Sequence, residues 1–165
     1  PDETTAQLLE LMEDEDADDV QILLGYPEDS AGGIMTTEFA WVPAGLSVGE
    51  ALEYLRQSPD AQDDEVMHYV YILDADRRLR GAARLRDLVM APPDRLLDED
   101  ADTSPVTVDP FSSQEDVAYL VAKYDLLALP VVDPETGGML GIVTVDDAID
   151  TVLPTAWKKR LPRLY

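Results

Sequence analysis

"LPVVDPETGGMLGIVTVDDAI", Leu129 to Ile149, is the stretch on which the fold turns. Its apolar start halts at Asp133, the turn formers PETGG follow, and a second apolar run, MLGIVTV, leads into acidic residues that suit a helix N-terminus. The pattern predicts a β-hairpin running into a helix from Asp146 to Leu153. The same pattern occurs earlier as "VYILDADRRLRGAARLRDL", Val70 to Leu88, where Asp74, Gly81 and Asp87 stand for Asp133, Gly141 and Asp147.

Outward from these hairpins, "SVGEALEYL" from Ser47 matches "SSQEDVAYL" from Ser112, with Ser, Glu, Tyr and Leu recurring. Leu46, Val48, Ala51, Leu52 and Leu55 have helical spacing, and Ser47 with Glu50 forms a candidate capping box. Ser112 with Glu115 reads as its counterpart, ahead of Val117, Leu120 and Val121. The hairpin offset is 59 to 60 residues and the helix offset 65, a difference that an insertion around "SPDAQDDE" explains. Each copy therefore reads strand, helix, strand, strand, helix. One such unit buries too little surface to stand comfortably alone, so the economical architecture is an α/β (α+β) pair of repeats related by a pseudo-twofold axis.

The chain divides accordingly. Residues 1–33 hold helical spacing over 4–13 and 17–25, read as the end of a helical domain and a connector. The first repeat covers 34–96, the second 97–153, and 154–165 is a basic tail, "WKKRLPRLY" from Trp157, expected to be the natural end of a soluble relative.

Composition narrows the chemistry. Thirty-five acidic residues against 12 basic ones give a formal charge of −23, which repels phosphate backbones and argues against nucleic acid as a partner. With no cysteine and one histidine, thiolate and histidine-rich metal sites are excluded. No nucleophile–base pair, P-loop or dinucleotide fingerprint points to an enzyme. No apolar run reaches membrane-spanning length and no signal peptide opens the chain, so it reads as cytoplasmic. Against this acidity, Arg77, Arg78, Arg80, Arg84 and Arg86 cluster within one hairpin.

Two such copies, each closing on Gly-apolar-x-x-apolar-x-Asp, resemble a pair of CBS domains, the regulatory Bateman module. "LLGYPEDSAGGIMTTEF", "AKYDLLALPVVDPETGG" and "GIVTVDDAID" further resemble the cytosolic part of MgtE-type magnesium channels, from about Leu8 to Leu153. The resemblance implies a non-catalytic sensor at the cytosolic face of a membrane, forming a homodimer through its CBS repeats, with a membrane transport domain or channel as partner. It implies magnesium bridging acidic surfaces and, as in some members, ATP or another adenine nucleotide between the repeats.

Carried onto this sequence, Thr144 and Asp147 occupy the threonine and aspartate of the CBS nucleotide motif. An aspartate there accepts hydrogen bonds from ribose hydroxyls, and the threonine meets phosphate. The alternative is a strand end and a helix-dipole partner. In the first repeat the hydroxyl position is Arg84, while Tyr69 is placed to stack on adenine and Arg86 and Asp87 to meet phosphate and ribose. Leu126 stands where ATP-binding members carry an aromatic.

For magnesium, Glu115, Asp125, Asp146, Asp147 and Asp150 fall at or near acidic family positions, whereas Phe111 and Ser113 replace aspartates. His68, Phe39 and Trp41 read as packing residues. A purely structural homodimerisation module with no small-molecule ligand is the competing reading.

Overall fold

A computed structural model describes residues 22–58 and 67–152. The expected helices over 4–13 and most of 17–25, most of the insertion, and the basic tail lie outside them. In the first repeat Trp41–Pro43 (β1) leads through a helix, Val48–Gln57 (α2), to Tyr69–Leu73 (β2), Leu79–Arg84 (β3) and the helix Leu85–Met90 (α3). β1 runs parallel to β2, with Trp41 opposite Tyr71, and β2 pairs antiparallel with β3, giving the order β1-β2-β3. This is the expected strand, helix, strand, strand, helix.

The second repeat has α5 (Gln114–Tyr124), the hairpin β4 (Ala128–Val132) and β5 (Met139–Thr144), and α6 (Val145–Val152). Its counterpart of β1 shrinks to a single parallel bridge between Val108 and Val131.

Local chemistry explains the recurring aspartates. Asp74 Oδ1 accepts the amides of Asp76 and Arg78 at 3.0 Å each, while Asp133 Oδ1 accepts the Glu135 amide at 2.8 Å and its Oδ2 the Thr136 hydroxyl at 3.0 Å. Each carboxylate ties its hairpin turn to itself. The two turns then pair with each other: the Leu79 amide donates to the Gly137 carbonyl at 3.3 Å and the Met139 amide to the Arg77 carbonyl at 3.1 Å. These bonds exchange under a 60-residue shift, so the pseudo-twofold axis passes between them. Arg77 and Gly137 share the left-handed region, φ 59° and 73°.

Two short helices were not anticipated: Ala31–Ile34 (α1) and Leu97–Asp100 (α4). Each precedes one repeat and docks on the other. The Ala31 amide donates to the Ser112 carbonyl at 2.8 Å, and the Leu97 amide to the Leu46 carbonyl at 3.0 Å. Beyond them, Thr36 bridges to Ile142 and Asp102 to Ala82. Accordingly Ala31 and Met35 belong to the second repeat's core and Leu97 to the first's.

The crossing explains the repeated glycine. A side chain at Gly141 would collide with the Thr36 carbonyl and the Met35 thioether, and one at Gly81 would lie 3.0 Å from the Asp102 carbonyl. A third core of Phe39, Tyr71, Leu73, Ala82, Ala128, Met139 and Ile142 joins the two repeats.

One expectation is corrected. α2 opens with the Ser47–Glu50 capping box, but α5 is capped by Ser113 with Asp116, not by Ser112 with Glu115. The buried faces agree: Ala51 and Leu55 correspond to Val117 and Val121, a 66-residue offset. The 65-residue match of Ser, Glu, Tyr and Leu is displaced by one from the packing register, because burial rather than residue identity sets the helix face.

Candidate functional site

Period-two alternation along β2 sends Val70 and Ile72 into the first repeat's own core and turns Tyr69 and Tyr71 toward the second repeat. There the repeats leave a cleft of about 380 Å³. Tyr69, Tyr71, Arg84 and Asp87 line it from the first repeat, and Asp102, Val106, Tyr124 and Leu126 from the second. The tyrosine rings are tilted, their centroids 6.3 Å apart. A second cavity of about 600 Å³ adjoins it, lined by Tyr69, Arg84, Arg86, Asp125 and Leu127 among others. Tyr69 and Arg84 are common to both.

Tyr71 is 1% exposed, and its hydroxyl has no hydrogen-bond partner. Burial, with a smaller push from Tyr69, raises its pKa, so the phenol stays neutral. A buried hydroxyl without a partner carries a desolvation cost of about 1–3 kcal/mol. Tyr71 was missed in the sequence; its signal was the Tyr-x-Tyr spacing, which puts both rings on one face.

Around the cleft the structure gathers Tyr69, Asp87 and Leu126, with Arg86 on the adjoining cavity. Asp87 is exposed in the first turn of α3, and Arg84 takes that helix's N-cap position without a side-chain capping bond. Thr144 and Asp147 line neither cavity. Instead the Thr144 hydroxyl, 7% exposed as a residue, donates to Asp147 Oδ2 at 2.9 Å and accepts the Asp147 amide at 3.4 Å. That pair satisfies itself, whereas Arg84 leaves Asp87 without such a partner.

The acidic candidates are dispersed. Asp146, Asp147 and Asp150 lie on α6, Glu115 in the first turn of α5, and Asp125 is the left-handed C-cap of α5, φ 52° and ψ 49°. Among the described residues no three carboxylate or histidine groups converge where a metal ion could be held. Carboxylates suit magnesium, which keeps several waters and needs few protein ligands. Within one chain they amount to partial sites. Phe111 packs edge-on against Tyr26, centroids 5.3 Å apart, and so fastens the N-terminal connector to the second repeat.

Two pseudo-symmetric strand–helix–hairpin–helix units enclosing a cleft define a tandem pair of the CBS type. The CBS domain matches residues 31–94 and 99–154, and the chain belongs to that family. It is 42% identical, over 88% of its length, to the magnesium transporter MgtE of Thermus thermophilus, and spans about a third, 32%, of that relative. The cytosolic domain of the Mg2+ channel MgtE in complex with ATP superimposes with a TM-score of 0.82 at 41% identity, covering 89% of this chain and 58% of that one. The soluble part of a magnesium transporter gives 0.84 at 38% identity, covering 92% and 58%. No helix among the described residues is long and apolar enough to cross a membrane.

Proposed function

We propose that this chain is a non-catalytic regulatory module for magnesium transport, acting at the cytosolic face of a membrane. It takes ATP or a related adenine nucleotide in the cleft between its repeats and senses magnesium on acidic surfaces. The observation that carries the nucleotide reading is the cleft itself, where the half-buried Tyr69 stands beside a free aspartate and an arginine. Tyr69 and Leu126 offer apolar faces to a base, Asp87 an acceptor for ribose hydroxyls, and Arg84 and Arg86 positive charge for phosphate. That a similar MgtE cytosolic domain is known in complex with ATP supports an adenine nucleotide as the ligand.

Magnesium would be held by Asp146, Asp147 and Asp150, with Glu115 and Asp125, once a second surface adds ligands. Homodimerisation supplies such a surface. Val89 and Met90 on α3 and Ile149 and Val152 on α6 are exposed, Met90 by 79%, and Val89 and Ile149 are equivalent positions 60 apart. Apolar side chains at matching places on both repeats suit a partner of the same symmetry. The boundaries 1–33, 34–96, 97–153 and 154–165 remain the proposed division.

Isothermal titration of the purified chain with ATP, ADP and AMP, with and without magnesium, tests the reading. We expect saturable binding that Asp87→Ala abolishes without loss of fold. Flat titrations with all three nucleotides would leave the ligand-free dimerisation module as the better account.

A further inference from the structure

The two repeats are chemically unequal at one position, and the inequality faces the cleft. In the second repeat Thr144 spends its hydroxyl on Asp147. Its counterpart Arg84 is exposed, pairs in register with Tyr69 across β2 and β3, and borders both cavities. Arg86, two residues on, borders the outer cavity. Among the described residues, the ion pairs join Arg56 to Glu53 and Arg95 to Glu99, neither at the cleft, and no carboxylate pairs with Arg84 or Arg86.

On a chain of charge −23, the lack of a carboxylate partner at both guanidinium groups is conspicuous. Asp87 and Asp102 face the inner cleft from either repeat. The outer cavity sets Arg84 and Arg86 against one carboxylate, Asp125, whereas the inner one sets Arg84 against two, so the balance of charge turns positive toward the outer cavity, where a chain of phosphates would enter.

We infer that Arg84 is a specificity-determining residue that selects polyphosphate nucleotides over monophosphates, spanning the passage from the inner cavity to the outer one. The inference rests on the nucleotide reading of the cleft and adds to it the class of ligand, an adenine nucleotide with two or more phosphates. A guanidinium at this place adds charge-assisted hydrogen bonds to a phosphate beyond the first, which a threonine or serine hydroxyl cannot match.

Titrating native, Arg84→Ser and Arg84→Lys chains with ATP and AMP at equal ionic strength tests it, with thermal melts confirming that each variant folds. We expect the native chain to prefer ATP to AMP by at least roughly tenfold, Arg84→Ser to weaken ATP by about tenfold while leaving AMP within about twofold, and Arg84→Lys to fall between. Added salt should erode ATP binding less steeply in Arg84→Ser. An ATP-to-AMP ratio unchanged in Arg84→Ser overturns the role of Arg84 while the cleft stands. A native chain that binds neither nucleotide overturns both.

Discussion

At the scale of single residues, Gly81 and Gly141 carry the crossing of the two leader segments. The approach at Gly141 is the closer: a methyl group there meets the Thr36 carbonyl and Met35, and both belong to a segment already bonded to Ile142. Gly141→Ala should therefore destabilise by about 2–3 kcal/mol, and Gly81→Ala, where the Asp102 carbonyl has more room, by less. Urea denaturation gives both values; equal midpoints would show that the two crossings are not strained as their geometry indicates. At Asp133, the Glu135 amide and then the Thr136 hydroxyl hold the carboxyl below the usual carboxylate range. This residue recurs for the turn it closes and not for chemistry, which its sequence position alone does not distinguish.

At the scale of elements, the helix caps offer a test of register. Ser47→Ala and Ser113→Ala should each cost about 1 kcal/mol, whereas Ser112→Ala, whose carbonyl and not its hydroxyl is used, should be nearly neutral. A larger loss at Ser112 than at Ser113 in thermal melts would restore the sequence-derived cap. Acid adds a second signature. The Ser47 amide, then its hydroxyl, holds Glu50 below the ordinary glutamate value. A depressed carboxyl contributes stability above its unfolded pKa and loses it as pH falls through the lower folded value. The difference between native and Ser47→Ala chains should thus shrink in acid and be full at neutral pH.

At the scale of the whole molecule, charge and symmetry act together. A net charge of −23 opposes compactness and self-association, and cations screen it. Millimolar magnesium chloride should raise the melting temperature above that in sodium chloride of equal ionic strength, and Asp146→Asn with Asp150→Asn should reduce the gain. An identical response to the two salts would mean screening without a magnesium site. Val89→Glu with Ile149→Glu should convert the proposed homodimer to a monomer by light scattering; an unaltered mass would overturn the proposed interface.

The hairpins, the second helix of each repeat and the twofold plan were legible in the sequence because they rest on local properties. Asp-stopped apolar runs, turn residues and helical spacing act over a few positions, and repetition doubles the signal. The leader helices were not legible, because α1 and α4 are four residues each and owe their place to the opposite repeat. For the same reason the sequence match slipped one residue from the packing register along α5. Tyr69, Asp87 and Leu126 were recognisable singly as candidates, but that they line one cleft was not. Thr144 and Asp147 look like the intact motif in sequence, yet folding closes that hydroxyl and carboxylate on each other and leaves Asp87 and Arg84 lining the cleft. Hydrogen bonds between neighbours follow from sequence; a cavity exists only where two distant surfaces fail to meet, and that is decided by how the repeats pack.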